Sequence, residues 1–201
     1  MGEVTDITGW WAASYVALWL LVVALTVVAV ALARQIGTLH LRLGPRGALE
    51  VDDEGPALNE GRPPIQATDL DGRPVVIGGA GDPQLLLFVS PGCHICEQVL
   101  PSIGAVARGA RLAPLVLADL DAEETALTFR DRRLHAPVVA GSNAFASYEI
   151  PGTPYVVVLD DKGVVRGKGT VNNLEQMEGL VETAATRMTA DQATAHGRRA
   201  V

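Results

Sequence analysis

The chain opens on an unbroken apolar block. From Trp10 to Ala33 no residue is charged, and about 24 residues of helix cross a bilayer core with some tilt. Trp10, Trp11 and Tyr15 stand at one end as aromatic interface residues, and Arg34 marks the other. A cleaved signal peptide is the competing reading, because Ala31-Leu32-Ala33 resembles a small-residue cleavage site. Against it, the leader holds Glu3 and Asp6 but no Lys or Arg, and the run is too long for a typical signal core. The pattern predicts a short tail over 1–9 and a transmembrane helix with a polar continuation over 10–43, ended by Gly44-Pro45. Residues 44–63 are rich in Gly, Pro and acidic residues, including Asp52, Asp53 and Glu54, and show no apolar period. They read as a solvated linker.

From Pro64 the apolar positions return in short bursts. Pro64–Leu70 and Arg73–Ile77 alternate around Asp71-Gly72, the signature of a β-hairpin. Leu85–Val89 is a continuous apolar run and reads as a buried central strand, followed by a helix from Cys96 to about Arg108. A second apolar strand is expected over Arg111–Ala118, an amphipathic helix over Asp121–Arg133, a short strand over Pro137–Val139 and a helical turn over Asn143–Tyr148. Tyr155–Leu159 and Val164–Lys168 flank the turn Asp160-Asp161-Lys162-Gly163 as a closing hairpin. Leu174, Met177, Leu180, Val181 and Ala184 recur at helical spacing within Asn173–Met188, and Thr189–Val201 reads as a disordered polar tail. The folded domain is thus placed at 64–188, with no internal repeat. Strands alternating with helices before a closing hairpin predict an α/β fold, a mixed sheet with helices on both faces.

Charge narrows the partners. The 16 Lys plus Arg against 23 Asp plus Glu give a formal charge of -7, which argues against nucleic acid. Arg34, Arg42 and Arg46 follow the apolar block, so the positive-inside rule places the large domain in the cytoplasm. A membrane-tethered dithiol is most useful on the oxidising side, and the two arguments oppose each other.

The chemistry sits in Phe88-Val89-Ser90-Pro91-Gly92-Cys93-His94-Ile95-Cys96, which holds both cysteines of the chain. Two cysteines separated by two residues at a strand-to-helix junction are a dithiol redox signature, because the helix N-terminus stabilises a thiolate. Cys93, at that terminus, is expected to be the attacking thiol; Cys96, one turn in, is the expected resolving partner. His94 either stabilises the Cys93 thiolate when protonated or is a solvent-facing residue that shapes partner contact, and Ile95 stands with it between the cysteines. No acidic residue stands on Leu85–Val89. A zinc site needs two further ligands, and only His40, His94, His135 and His196 are available as histidines. Copper(I) held by the two thiolates is the more credible metal reading. The redox group expected is the Cys93–Cys96 disulfide itself, with no cofactor and no resident metal.

The order of elements, with Cys-x-x-Cys after a strand, resembles the thioredoxin fold. Pro101, five residues after Cys96, stands where thioredoxin-like proteins carry the proline that kinks the active-site helix. Ile150-Pro151-Gly152-Thr153-Pro154-Tyr155 looks like their cis-proline loop, which implies that Thr153 and Pro154 bind an extended substrate beside the dithiol. The whole chain resembles the MauD family of methylamine utilisation proteins. The resemblance rests on Ala31 to Gly37 running into Arg42-Leu43-Gly44-Pro45, on Asp69 to Val75, on Leu87 to Pro91, and on Gly163 to Gly169 with Val171-Asn172-Asn173. More broadly the chain is similar to membrane-tethered thioredoxins of the TlpA and ResA type. MauD-like proteins are thought to be periplasmic, held by one membrane helix in the inner membrane, and to assist disulfide formation in the small subunit of methylamine dehydrogenase. The resemblance therefore implies that client as partner. His94 departs from the family, which usually has Pro after the first cysteine, and the residues between the cysteines set the redox poise. The alternatives are a TlpA- or ResA-type reductase serving cytochrome or metal-site maturation, and, in another class, a copper(I)-binding or client-holding chaperone.

Overall fold

The computed structural model describes residues 3–42, 54–130, 132 and 134–199, and the chain divides into two units, Met1–Pro45 and Arg46–Val201. The first unit is one helix, α1 (Glu3–Arg42). It begins at Glu3, within the stretch expected as a tail. Trp10–Val28 within it has a mean hydropathy of 2.2 and is long and apolar enough to cross a membrane. The hydroxyls of Ser14 and Thr26 donate to the carbonyls of Trp10 and Val22 four residues back, so neither needs water.

The second unit is built on a five-stranded sheet. The hairpin β1 (Ile65–Thr68) and β2 (Pro74–Ile77) comes first, antiparallel as its Asp-Gly turn predicts. Asp69 closes that turn by accepting from the N–H groups of Asp71 and Arg73. Then follow β3 (Gln84–Val89), α2 (His94–Val99), α3 (Ile103–Ala110), β4 (Ala113–Ala118), α4 (Ala122–Phe129), β5 (Val138–Ala140), α5 (Ser142–Ser147), β6 (Tyr155–Leu159), β7 (Val165–Thr170) and α6 (Leu174–Arg199). The sheet order is β5-β4-β3-β6-β7, with β3 parallel to β4 and antiparallel to β6. The continuous apolar run of β3 has this cause: a central strand is covered on both faces. Leu85, Leu87 and Val89 pack with Ile103 and Ala107 of α3 and Met177 and Leu180 of α6; Leu86 and Phe88 pack on the other face with Ala144, Tyr148 and Ile77. The active-site helix starts at His94, two residues earlier than its apolar pattern suggests, and Pro101 breaks it into α2 and α3 through a 3-10 turn at Leu100–Ser102.

The structure redraws two boundaries. Of the linker expected over 44–63, residues 44–53 lie outside the described residues, but from Glu54 to Arg62 the chain is a strap along the outer edge of β7. The N–H of Asn59 donates to the Val165 carbonyl at 2.8 Å, that of Val165 to Glu60 at 3.0 Å, and Gly61 bridges Val164. Lys168, 1% exposed, and the Tyr155 hydroxyl both donate to the Glu54 carbonyl. A Cβ on Gly55 would come within 2.5 Å of that hydroxyl, so the close approach requires glycine. Strap binding is polar and backbone-mediated, which is why no apolar period announced it. The second boundary is the C-terminus. The tail expected from Thr189 is instead a continuation of α6 to Arg199. Ala190, Ala193 and Ala195 favour helix, and Asp191 pairs with Arg166.

Arg166 is the tie between these parts. β7 carries one extra residue where Val158 pairs with Gly167 and Leu159 with Val165. The bulge at Arg166 takes its side chain out of the alternation. Its guanidinium donates to Asp160 at 2.8 Å, to Asn59 of the strap at 2.9 Å, and to Asp191 of α6.

Candidate active site

β3 ends at Val89, and Ser90-Pro91-Gly92 turn the chain into α2. Gly92 has φ +72°, a left-handed conformation that side chains resist, so it permits the turn. Cys93 is then the N-cap of α2, and its Sγ accepts from the Cys96 N–H at 3.1 Å. Cys93 and Cys96 are joined as a disulfide with their Cα atoms 5.3 Å apart. The two sulfurs differ in access: Cys93 is half-buried, whereas Cys96 is 2% exposed beneath it. His94 and Ile95 are exposed at the rim, and the His94 ring lies 3.1 Å from the Gln98 side-chain amide one turn on.

The loop before β6 forms the opposing wall. Its Thr153–Pro154 peptide is cis, the geometry expected of it. Pro154 is buried, Thr153 is half-buried, and the Thr153 carbonyl oxygen lies 3.8 Å from Cys93 Sγ. Ser90 Oγ and Thr153 Oγ1 hydrogen-bond to each other across the gap between the two loops. On the other side of the disulfide, Cys96, Leu100, Leu120 and Phe129 line a small cleft of about 40 Å³. Its rim carries an ion pair between Glu97 and Arg132 at 2.9 Å, with the Arg132 guanidinium over the Phe129 ring.

The fold thus brings Cys93, Cys96, Thr153 and Pro154 together and leaves His94 and Ile95 at the edge. Sequence reasoning passed over Ser90 and the Glu97–Arg132 pair. The pair joins residues 35 apart, and nothing local announces it. Ser90 lies inside the cysteine stretch, and a hydroxyl three residues before the first cysteine was its only signal. Among the described residues no three His, Cys, Asp or Glu side chains gather as a metal site.

No family model matches the chain. The methylamine utilization protein MauD of Paracoccus versutus is 35% identical over 176 residues, 87% of this chain and 89% of that protein. The protein of the same name from Methylobacillus flagellatus is 37% identical over 175 residues, 85% of each chain. The chain belongs to the MauD family. Solved structures carry the fold of this MauD-family chain. The thioredoxin domain of a thiol-disulfide oxidoreductase from Bacteroides vulgatus superposes with a TM-score of 0.52 at 20% identity, covering 63% of this chain and 96% of that one. A thio-disulfide isomerase from Thermus thermophilus gives 0.52 at 19% identity, covering 65% and 96%. The fold is thioredoxin-like, and on it the MauD-family chain sets a half-buried and a buried cysteine in one disulfide. That is a thiol-disulfide oxidoreductase, whose redox group is its own cysteine pair.

Proposed function

We propose that this oxidoreductase forms or reshuffles disulfides in an exported client, and that the client is the small subunit of methylamine dehydrogenase. The MauD relationship supports the client. The observation that carries the mechanism is the asymmetry of the disulfide: Cys93 faces the Thr153 carbonyl across 3.8 Å while Cys96 lies buried behind it. A client thiolate attacks Cys93 Sγ, a bond forms between the two sulfurs, and the Cys93–Cys96 bond breaks. Its electron pair leaves on Cys96, whose sulfur takes a proton. A second client thiolate then attacks the client sulfur of this mixed disulfide and releases Cys93 as thiolate. The client leaves with a disulfide, and two electrons remain on the dithiol. Cys93 is the sulfur the client meets, Cys96 is the leaving sulfur in this direction and the resolving one in the reverse, and Thr153 with Pro154 forms the edge along which an extended client lies. The domain works outside the cytoplasm, where such disulfides persist, and α1 holds it to the inner membrane.

Cys96→Ser tests this in cells that express the methylamine dehydrogenase subunits. In the reverse, reshuffling direction the Cys93 thiolate attacks a client disulfide and displaces one client sulfur as thiolate; with no Cys96 to resolve the product, the variant accumulates a mixed disulfide between Cys93 and the small subunit, released by reductant and absent when Cys93 is also Ser. Adducts only with cytochrome-maturation proteins would move the client to that pathway, and metal lost without any adduct would indicate a copper carrier. An impermeant thiol reagent, applied to intact cells after impermeant reduction, labels Cys93 if the domain is extracytoplasmic; labelling that requires lysis places it inside.

A further inference from the structure

Residues 151–153 carry the client-facing edge, yet they are weakly held. Among the described residues this loop makes no backbone hydrogen bond to the rest of the domain; the nearest are Ile150 N–H to the Phe145 carbonyl and Val171 N–H to the Pro154 carbonyl. Pro151 and Gly152 are exposed, and a Cβ on Gly152 would meet nothing. Two interactions tie the loop to the dithiol, both through Thr153: its carbonyl against Cys93 Sγ and its hydroxyl on Ser90. The first changes whenever Cys93 changes partner. The second involves neither sulfur. Ser90 is itself fixed, since it follows the last residue of the central strand and its carbonyl accepts from the Cys93 N–H at 3.4 Å.

We propose that Ser90 is a positioning residue for the client: its hydroxyl holds Thr153 so that the backbone of 151–153 is presented as a pairing edge at a constant offset from Cys93. The proposal rests on the reading of Cys93 as the client-facing sulfur. Ser90 takes no part in the sulfur chemistry; no bond to it forms or breaks and no proton passes through it. An extended peptide that pairs with a freely rotating loop must order the loop as it binds, whereas a loop already held by Ser90 has lost that freedom beforehand. Glutathione, which brings little backbone to pair, gains less from the arrangement.

The test uses the full-length chain in detergent, oxidised, with a synthetic dithiol peptide and glutathione as the two reductants. Ser90→Ala raises KM for the peptide about five-fold, the loss of roughly one hydrogen bond, while kcat changes little. Thr153→Val has a similar effect, Thr153→Ser, which keeps the hydroxyl, restores the wild-type KM, and the double variant Ser90→Ala, Thr153→Val is no worse than either single one. An unchanged KM in Ser90→Ala, additive effects in the double variant, or an equal loss toward glutathione overturns the proposal. Should Ser90→Ala fold poorly, the Thr153 pair decides, and equal KM values for Val and Ser at 153 overturn it. Cys93→Ala separates this from the underlying reading: if peptide exchange survives that change, Cys93 is not the client-facing sulfur and the role of Ser90 falls with it.

Discussion

Two buried polar side chains in the domain have opposite standing. The Tyr148 hydroxyl is buried against the Gly78 backbone and has no hydrogen-bond partner among the described residues. Burial pushes its pKa up to about 12, only partly offset by the Arg62 charge. Because burial penalises the phenolate, the unpartnered hydroxyl is a constant cost below about pH 10, and stability falls further as pH rises from 10 toward 12. Tyr148→Phe therefore raises stability by about 1 kcal/mol at neutral pH and moves alkaline unfolding to higher pH, measured by denaturant titration. Asp160 is the reverse. Burial alone would raise its carboxyl, but the N–H of Val164, the Arg166 guanidinium and the N–H of Lys162 outweigh that and hold it below the usual range. Its stabilisation is present above the unfolded pKa of about 4 and is lost as pH falls through the folded value. Asp160→Asn costs about 2 kcal/mol at pH 7 and flattens the loss of stability below pH 4, and equal acid limbs in variant and wild type would contradict this. Neither environment was legible in the chain, because burial of a hydroxyl or a carboxylate depends on residues far away. The cysteines were legible, since their spacing and their place after an apolar strand carry the chemistry locally.

The regular elements were legible wherever apolar spacing governs them. The seven strands among the described residues fall within a residue or two of where alternation, an apolar run or a hairpin turn placed them, and Pro101 breaks the active-site helix. The strap of residues 54–62 was not legible, because its ties are main-chain bonds and buried cations, features without a period. A chain beginning at residue 54 retains the Glu54 carbonyl for Lys168 and Tyr155 and the Asn59 side chain for Arg166; one beginning at residue 64 loses them and bares the β7 edge. We expect the longer form to unfold cooperatively and remain monomeric. The shorter form loses about 3 kcal/mol, since Lys168 and Tyr155 lose the Glu54 carbonyl and Arg166 loses the Asn59 side chain, and associates through the open edge. Thermal melts with light scattering compare the two. Equal stability would mean that the strap is ornamental.

For the whole molecule the decisive contrast is between an apolar helix, exposed along Trp10–Val28, and a domain with its own core. The helix keeps the chain in the membrane fraction after alkaline carbonate washing, and release by carbonate would show that it does not span. Within the domain, both sheet edges are covered by segments that precede the central strand. The strap lines β7, while the hairpin end bridges β5 at Asp69 and Val139, with Leu70 N–H bonded to the Val138 carbonyl at 3.1 Å. The strap contacts of Glu54 and Asn59 close over sequence separations of 101, 107 and 114 residues. A ribosome delivers the covering pieces first and their partners last. The sheet therefore cannot shut until β7 has been synthesised, and loops this long close slowly. Until then the strap has no edge to cover, and the last strand to be made is the one that fastens the first segment of the domain.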